Sequence, residues 1–140
     1  MIEAWIDGRN FGNKGSGLAI RLQSGKYDWV RAIPAGSITT NQAELKALEF
    51  ALKSIRIEFL ADEILVRSSN RYAQMMLEKI GNDWAKKAST NVELVNEIRD
   101  LYSEFENIRL ISDPDNDVMG MLKKVNETCV KKGTSVFDRK

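Results

Sequence analysis

The chain has 140 residues, of which 43% are hydrophobic and 8% aromatic, a length and composition that suit one domain with one sizeable core. With 21 Lys and Arg against 20 Asp and Glu the formal charge is +1, so the molecule as a whole is no polycation and any basic surface has to be local. Histidine is absent and Cys129 is the single cysteine, which excludes Ser-His and Cys-His nucleophilic catalysis and an internal disulfide.

Three extended segments come first: IEAWI (2 to 6), SGLAIRLQ (16 to 23) and KYDWVRAIPA (26 to 35), each rich in β-branched or aromatic residues and bounded by glycine. Ser24 and Gly25 read as a tight hairpin turn, giving an antiparallel meander. From Thr40 the period becomes helical, with Ala43, Leu45, Ala47, Leu48, Ala51, Leu52 and Ile55 on one stripe; Thr40 or Asn41 is the expected cap and the helix should run to Ile57.

EILVRS (63 to 68) then reads as a short strand and NRYAQMMLEKIG (70 to 81) as a helix closed by Gly81. A polar connection carrying Trp84, Lys86 and Lys87 leads to an amphipathic helix over 91 to 106, a strand over 107 to 112, a loop SDPDND and a last helix from Asp115 to Lys132. Residues 1–133 are expected to form the single domain and 134–140 a flexible tail. No run of about 18 apolar residues and no basic-then-apolar leader is present, so the expectation is an intracellular, cytoplasmic protein with no membrane partner.

Strands and helices alternate after an antiparallel start, which predicts a mixed sheet covered on both faces, with any site at the C-terminal ends of the strands. Asp7 ends the first strand in this reading, Glu44 lies early in the first long helix, and Ser68 and Ser69 end the fourth strand; a mixed sheet can bring the three to one edge. Gly8, Gly12, Gly15 and Gly17 would let a ligand backbone approach the first hairpin. Glu44 has a second reading as the N3 partner of a capping box with Asn41.

With these residues in place, the sequence resembles the type 1 ribonuclease H family. IDGRNFGNKGSG is similar to the family's aspartate strand and glycine hairpin, and TTNQAELKAL to its glutamate helix. SSNRYA, STNVELVNEI and DNDVMGML follow in the family's order over nearly the whole chain. The resemblance implies a ribonuclease H-like three-layer α/β fold with a five-stranded mixed sheet, three strands antiparallel and two parallel. It also implies metal-dependent cleavage of the RNA strand of an RNA/DNA hybrid, four carboxylates holding two Mg²⁺ ions about 3.5 to 4 Å apart.

Carried over, Asp7 and Glu44 match the first two carboxylates, while the third position falls on Ser69 and the fourth on Gly120. The site charge then drops from about −4 to about −2 against about +4 for two Mg²⁺, so at most one Mg²⁺ or Mn²⁺ ion, on Asp7 and Glu44, is expected. Asp117 stands one helical turn before Gly120 and is the acid placed to substitute, with Asp113 and Asp115 in the loop before it. Asn13, Asn41 and Arg71 fall where the family reads hybrid minor-groove edges, and Trp84, Lys86 and Lys87 fall in its DNA-binding handle region. Two readings follow: a degenerate relative that binds nucleic acid or a protein partner with cleavage lost or reduced, or an active hybrid nuclease completed by Asp117.

Overall fold

The computed structural model describes residues 1–58, 63–78 and 91–139. Alternation of apolar residues in the first 36 positions produces three long antiparallel strands: β1 (Ile2–Asn10), β2 (Ser16–Ser24) and β3 (Tyr27–Gly36). β1 therefore runs past Asp7, where the sequence reading ended it, because Gly8, Arg9 and Asn10 keep pairing with Leu18, Gly17 and Ser16. A short 3₁₀ turn at Gly12–Lys14 joins β1 to β2.

Helix α1 (Thr40–Glu58) already includes both expected caps, Thr40 and Asn41. The capping box is formed by Thr39 and Gln42: the Thr39 hydroxyl accepts from the Gln42 amide at 3.1 Å, and the Gln42 side chain accepts from the Thr39 amide at 3.2 Å. Every residue of the predicted apolar stripe, Ala43 to Ile55, is buried. Next come β4 (Ile64–Ser68), α2 (Tyr72–Glu78), α3 (Val92–Ser103), β5 (Ile108–Ser112) and α4 (Asp117–Lys132). α4 is capped by Asn116, whose side chain accepts from the Val118 amide at 2.9 Å. Trp84, Lys86, Lys87 and the predicted Gly81 cap lie outside the described residues.

The sheet has six strands, ordered β5, β4, β1, β2, β3, β6, with β1, β4 and β5 parallel and the others antiparallel to their neighbours. Five strands were expected. The sixth, β6 (Val136–Arg139), is made by the segment read as a flexible tail: Gly133, at φ 67°, stops α4 and turns the chain back, and Val136–Arg139 then pair with Trp29–Ala32. Helices α1, α2 and α3 cover one face around Ile6, Ile20, Leu48, Leu52, Ile55 and Ile98. On the other face α4 packs through Met119, Leu122 and Cys129 against Trp5, Ala19 and Val30.

Two glycines decide how closely these layers meet. A Cβ on Gly8 would lie 2.1 to 2.2 Å from backbone atoms of Ala43 and Glu44, and one on Gly17 would lie 2.1 Å from the Asn126 side-chain oxygen. Gly8 and Gly17 thus admit α1 and α4, where the sequence reading had them admit a ligand. Gly8→Ala should therefore lower stability by about 3 kcal/mol, the upper end for overpacking, since the colliding atoms are backbone. Gly120→Ala, on an exposed face of α4 with nothing within 4 Å, should raise it by about 0.5 to 1 kcal/mol. Chemical denaturation of the two variants measures both.

Candidate functional site

Along β1, Ile6 and Gly8 face α1 while Asp7 and Arg9 face the α4 side. Asp7 is fully buried, and both of its carboxylate oxygens are taken by protein donors. Arg9 Nε donates to Oδ1 at 2.8 Å; Asn126 Nδ2, from α4, donates to Oδ2 at 3.0 Å. The same Asn126 amide lies 3.2 Å from the Asp7 carbonyl oxygen and 3.1 Å from that of Gly17, so one side chain ties α4 to both strands of the first hairpin. An isolated carboxylate buried this deeply is costly, and the guanidinium with two charge-assisted hydrogen bonds compensates it.

Glu44 is equally buried and equally engaged. Its Oε1 accepts from the Ser68 hydroxyl and, at 3.2 Å, from the Asn70 amide; its Oε2 accepts from the Ala73 amide at 2.9 Å. Asn70 in turn accepts from the Tyr72 amide at 2.9 Å. Glu44 therefore satisfies orphan amides at the start of α2 and belongs to no capping box in its own helix. Burial pushes the Glu44 carboxyl above the ordinary range; the Ser68, Ala73 and Asn70 hydrogen bonds pull it back, and the Asp7 charge pushes it up again.

Ser69, at the third family position, is buried, and its amide donates to the Ile6 carbonyl at 3.1 Å, which sets it against β1 beside Asp7. Gly120 is exposed on α4 with open space where a side chain would stand. Asp117 is exposed in the first turn of that helix, and Asp115 is exposed in the loop before it. Asp113 is held by Arg67 at 2.7 Å and by Asn116 at 3.2 Å. Asp117 does not join Asp7 and Glu44: among the described residues no group of three or more acidic or cysteine side chains is placed to hold a metal ion.

Of the residues read as nucleic-acid contacts, Asn13, Asn41 and Arg71 are among the described ones, and all three are exposed. Asn10 donates from its backbone to Thr40 at 3.1 Å and from its side chain to the Ile38 carbonyl at 2.8 Å, fastening the end of β1 to the start of α1. That brings exposed Asn13 and Lys14, in the turn after β1, to the edge that carries exposed Asn41. Gly12, Asn13 and Lys14 line one side of a groove of about 420 Å³, with Pro34 and Ser37 across it. Exposed Arg71 sits in the loop whose amides wrap Glu44.

Arg9, Asn126 and Thr39 were not singled out from the sequence, and Ser68 was placed at the edge with Asp7 and Glu44 but not as the hydroxyl that donates to Glu44. Arg9 was legible, since two residues along a strand share a face, and Asn126 was legible as a polar residue among Leu122, Cys129 and Val130 at helical spacing. Thr39 carried no comparable signal.

A divalent pair does not fit this donor set. Two of the four positions have no carboxylate, the oxygens of the other two already accept hydrogen bonds, and Arg9 already neutralises Asp7.

The profile of the family described as reverse transcriptase-like matches residues 6–112. No curated protein matches the chain significantly in sequence. Among solved structures, the chain is similar to RNase H1 from the halophilic archaeon Halobacterium salinarum NRC-1, at 21% identity and TM-score 0.71, covering 94% of this chain and 98% of that one. It is similar to LC11-RNase H1 in complex with an RNA/DNA hybrid, at 20% identity and TM-score 0.75, with the same two coverages of 94% and 98%. A third, LC9-RNase H1, described as a type 1 RNase H with the type 2 active-site motif, gives 12% identity and TM-score 0.75 over 98% of this chain and 77% of that one. At these identities the likeness is one of fold.

Folding raises the Glu44 pKa above its ordinary 4.5, so above that value the native chain holds a proton the unfolded chain has lost. The contribution of Glu44 to stability is complete below about 4.5 and declines as pH climbs through the raised pKa. Thermal melts from pH 4.5 upward should show that decline, and Glu44→Gln should remove part of it; Glu49, also raised by burial, leaves the remainder.

Proposed function

The chain belongs to the reverse transcriptase-like family and has the ribonuclease H-like fold, and on that premise we propose that it binds an RNA/DNA hybrid or a related nucleic acid without cutting it. The observation that carries the reading is the pairing of Asp7 with Arg9 and Asn126. Two-metal hydrolysis needs clustered anionic oxygens free to hold cations and clamp the attacking and leaving oxygens. Here the central carboxylate is buried with a guanidinium as its counter-ion, and Glu44 serves the start of α2. A divalent ion at Asp7 would have to displace Arg9 and then face only one further carboxylate.

Loss of the cage leaves the binding surface intact. Asn13, Lys14, Asn41 and Arg71 are exposed around the neutralised edge and offer amide, ammonium and guanidinium donors suited to phosphates and 2′-hydroxyls. With Arg9 neutralising Asp7, the edge also repels phosphate less than a bare four-carboxylate cage would.

Two assays test this reading. A labelled RNA/DNA hybrid incubated with the chain and Mg²⁺ or Mn²⁺ should stay intact, and Asp7→Asn should change nothing; cutting that disappears in Asp7→Asn would overturn the proposal. In low-salt binding to the same hybrid, Asn41→Ala and Arg71→Ala should each weaken affinity by about three- to tenfold, the worth of one hydrogen bond. Unchanged affinity in both would remove this edge as the interface.

A further inference from the structure

We propose that the outer edge of the sheet, where β6 lies on β3, is a second nucleic-acid surface that takes single strands by stacking a base on Phe137. The pairing of these strands sets Phe137 opposite Arg31 and Arg139 opposite Trp29, on the face that α1 covers. Trp29 is 3% exposed and forms the floor, whereas Phe137 is 52% exposed and stands 5.8 Å from it, centroid to centroid. Arg31 is held among three rings, its guanidinium carbon 5.6 Å from Trp29, 5.3 Å from Phe50 and 5.2 Å from Phe137. Arg139 stands 5.8 Å from Phe137 on the same strand.

Arg31 and Arg139 both stand at the Phe137 ring, yet half of Phe137 is left in water. A half-exposed aromatic ring beside two guanidinium groups matches a base with its phosphates, the recurring arrangement of single-strand platforms. Charge beside it has the right sign: Lys46 and Lys53 border the adjoining groove of about 360 Å³ between α1 and β3, and with Lys53 3.9 Å from Glu49, the one acid among the described residues lining that groove, Lys46 is the excess positive charge. Tyr27, 61% exposed two residues before Trp29 on the same face of β3, offers a second ring further along. A duplex keeps its base faces stacked inside and cannot use the Phe137 ring, so the occupant is an unpaired strand.

This surface lies on β3 and β6, apart from the β1 and α1 edge, and the two stand or fall separately. The test is fluorescence anisotropy of the full chain with a labelled oligo(dT) at low salt, with circular dichroism and melting checking the fold of each variant. Phe137→Ala should weaken binding about five- to a hundredfold, while Phe137→Tyr, which keeps the π face, should retain it. Arg139→Ala should lower the slope of log affinity against log salt by about 0.7. In the Asn41→Ala/Arg71→Ala background, Phe137→Ala should still weaken oligo(dT) binding by the same factor. Unchanged affinity in folded Phe137→Ala, failure of the parent to bind oligo(dT), or equal displacement by polyglutamate, which has no base to stack, would each overturn the proposal.

Discussion

Strand β1 and helix α1 meet at Gly8 with no space for a methyl group, and the geometry of the site depends on that contact. It fixes the height at which α1 crosses the sheet and so places Glu44 against Ser68 and the first amides of α2. The same strand, one residue earlier, turns Asp7 to the opposite layer, where α4 reaches it through Asn126. Gly17 provides the matching close approach on that side, since any side chain there would displace the Asn126 amide. Two acids on opposite layers are thus held near each other by backbone contacts, whatever chemistry surrounds them.

What surrounds them is an internal charge balance. In a metal-dependent relative the charge of clustered carboxylates is answered by cations from solution; in this chain it is answered from within. Arg9 and Asn126 satisfy Asp7, and hydroxyl and amide donors satisfy Glu44. Such a site gains rigidity, because each carboxylate knits two elements together; under the proposed function it also forgoes Lewis acidity, because a guanidinium does not lower the pKa of a bound water as a divalent ion does. Ser69 fits this balance: a carboxylate at that buried place would stand beside Asp7 without a partner of its own.

Much of this was legible in the sequence. Stripe and alternation located the α1 core residues from Ala43 to Ile55 and the order of strands and helices, because period and burial are set by the same packing. Local hydrogen bonding was less visible. Thr39 rather than Thr40 or Asn41 caps α1, since the reciprocal bonds with Gln42 outweigh the usual preference for asparagine at a cap. The fate of Val136–Arg139 was hidden for another reason: an edge strand draws its hydrogen bonds from β3, more than 100 residues away in the chain, and its own four residues, Val-Phe-Asp-Arg, carry no alternation. Asp7 could be placed at the site from its neighbours, but that its charge is neutralised by Arg9 of its own strand and hydrogen-bonded by Asn126 of α4 depends on which side chains meet across layers.

The charge balance at Asp7 is therefore the central claim, and it can be watched directly. Side-chain resonances of Arg9 Nε–H and Asn126 Nδ2–H₂, assigned by substitution, report the two groups that hold the carboxylate. On titration with millimolar Mn²⁺ the account predicts that both stay sharp and unshifted, since the ion finds no seat beside them. Selective broadening of the two at low Mn²⁺, abolished in Asp7→Asn, would mean that a metal displaces Arg9 and would contradict it.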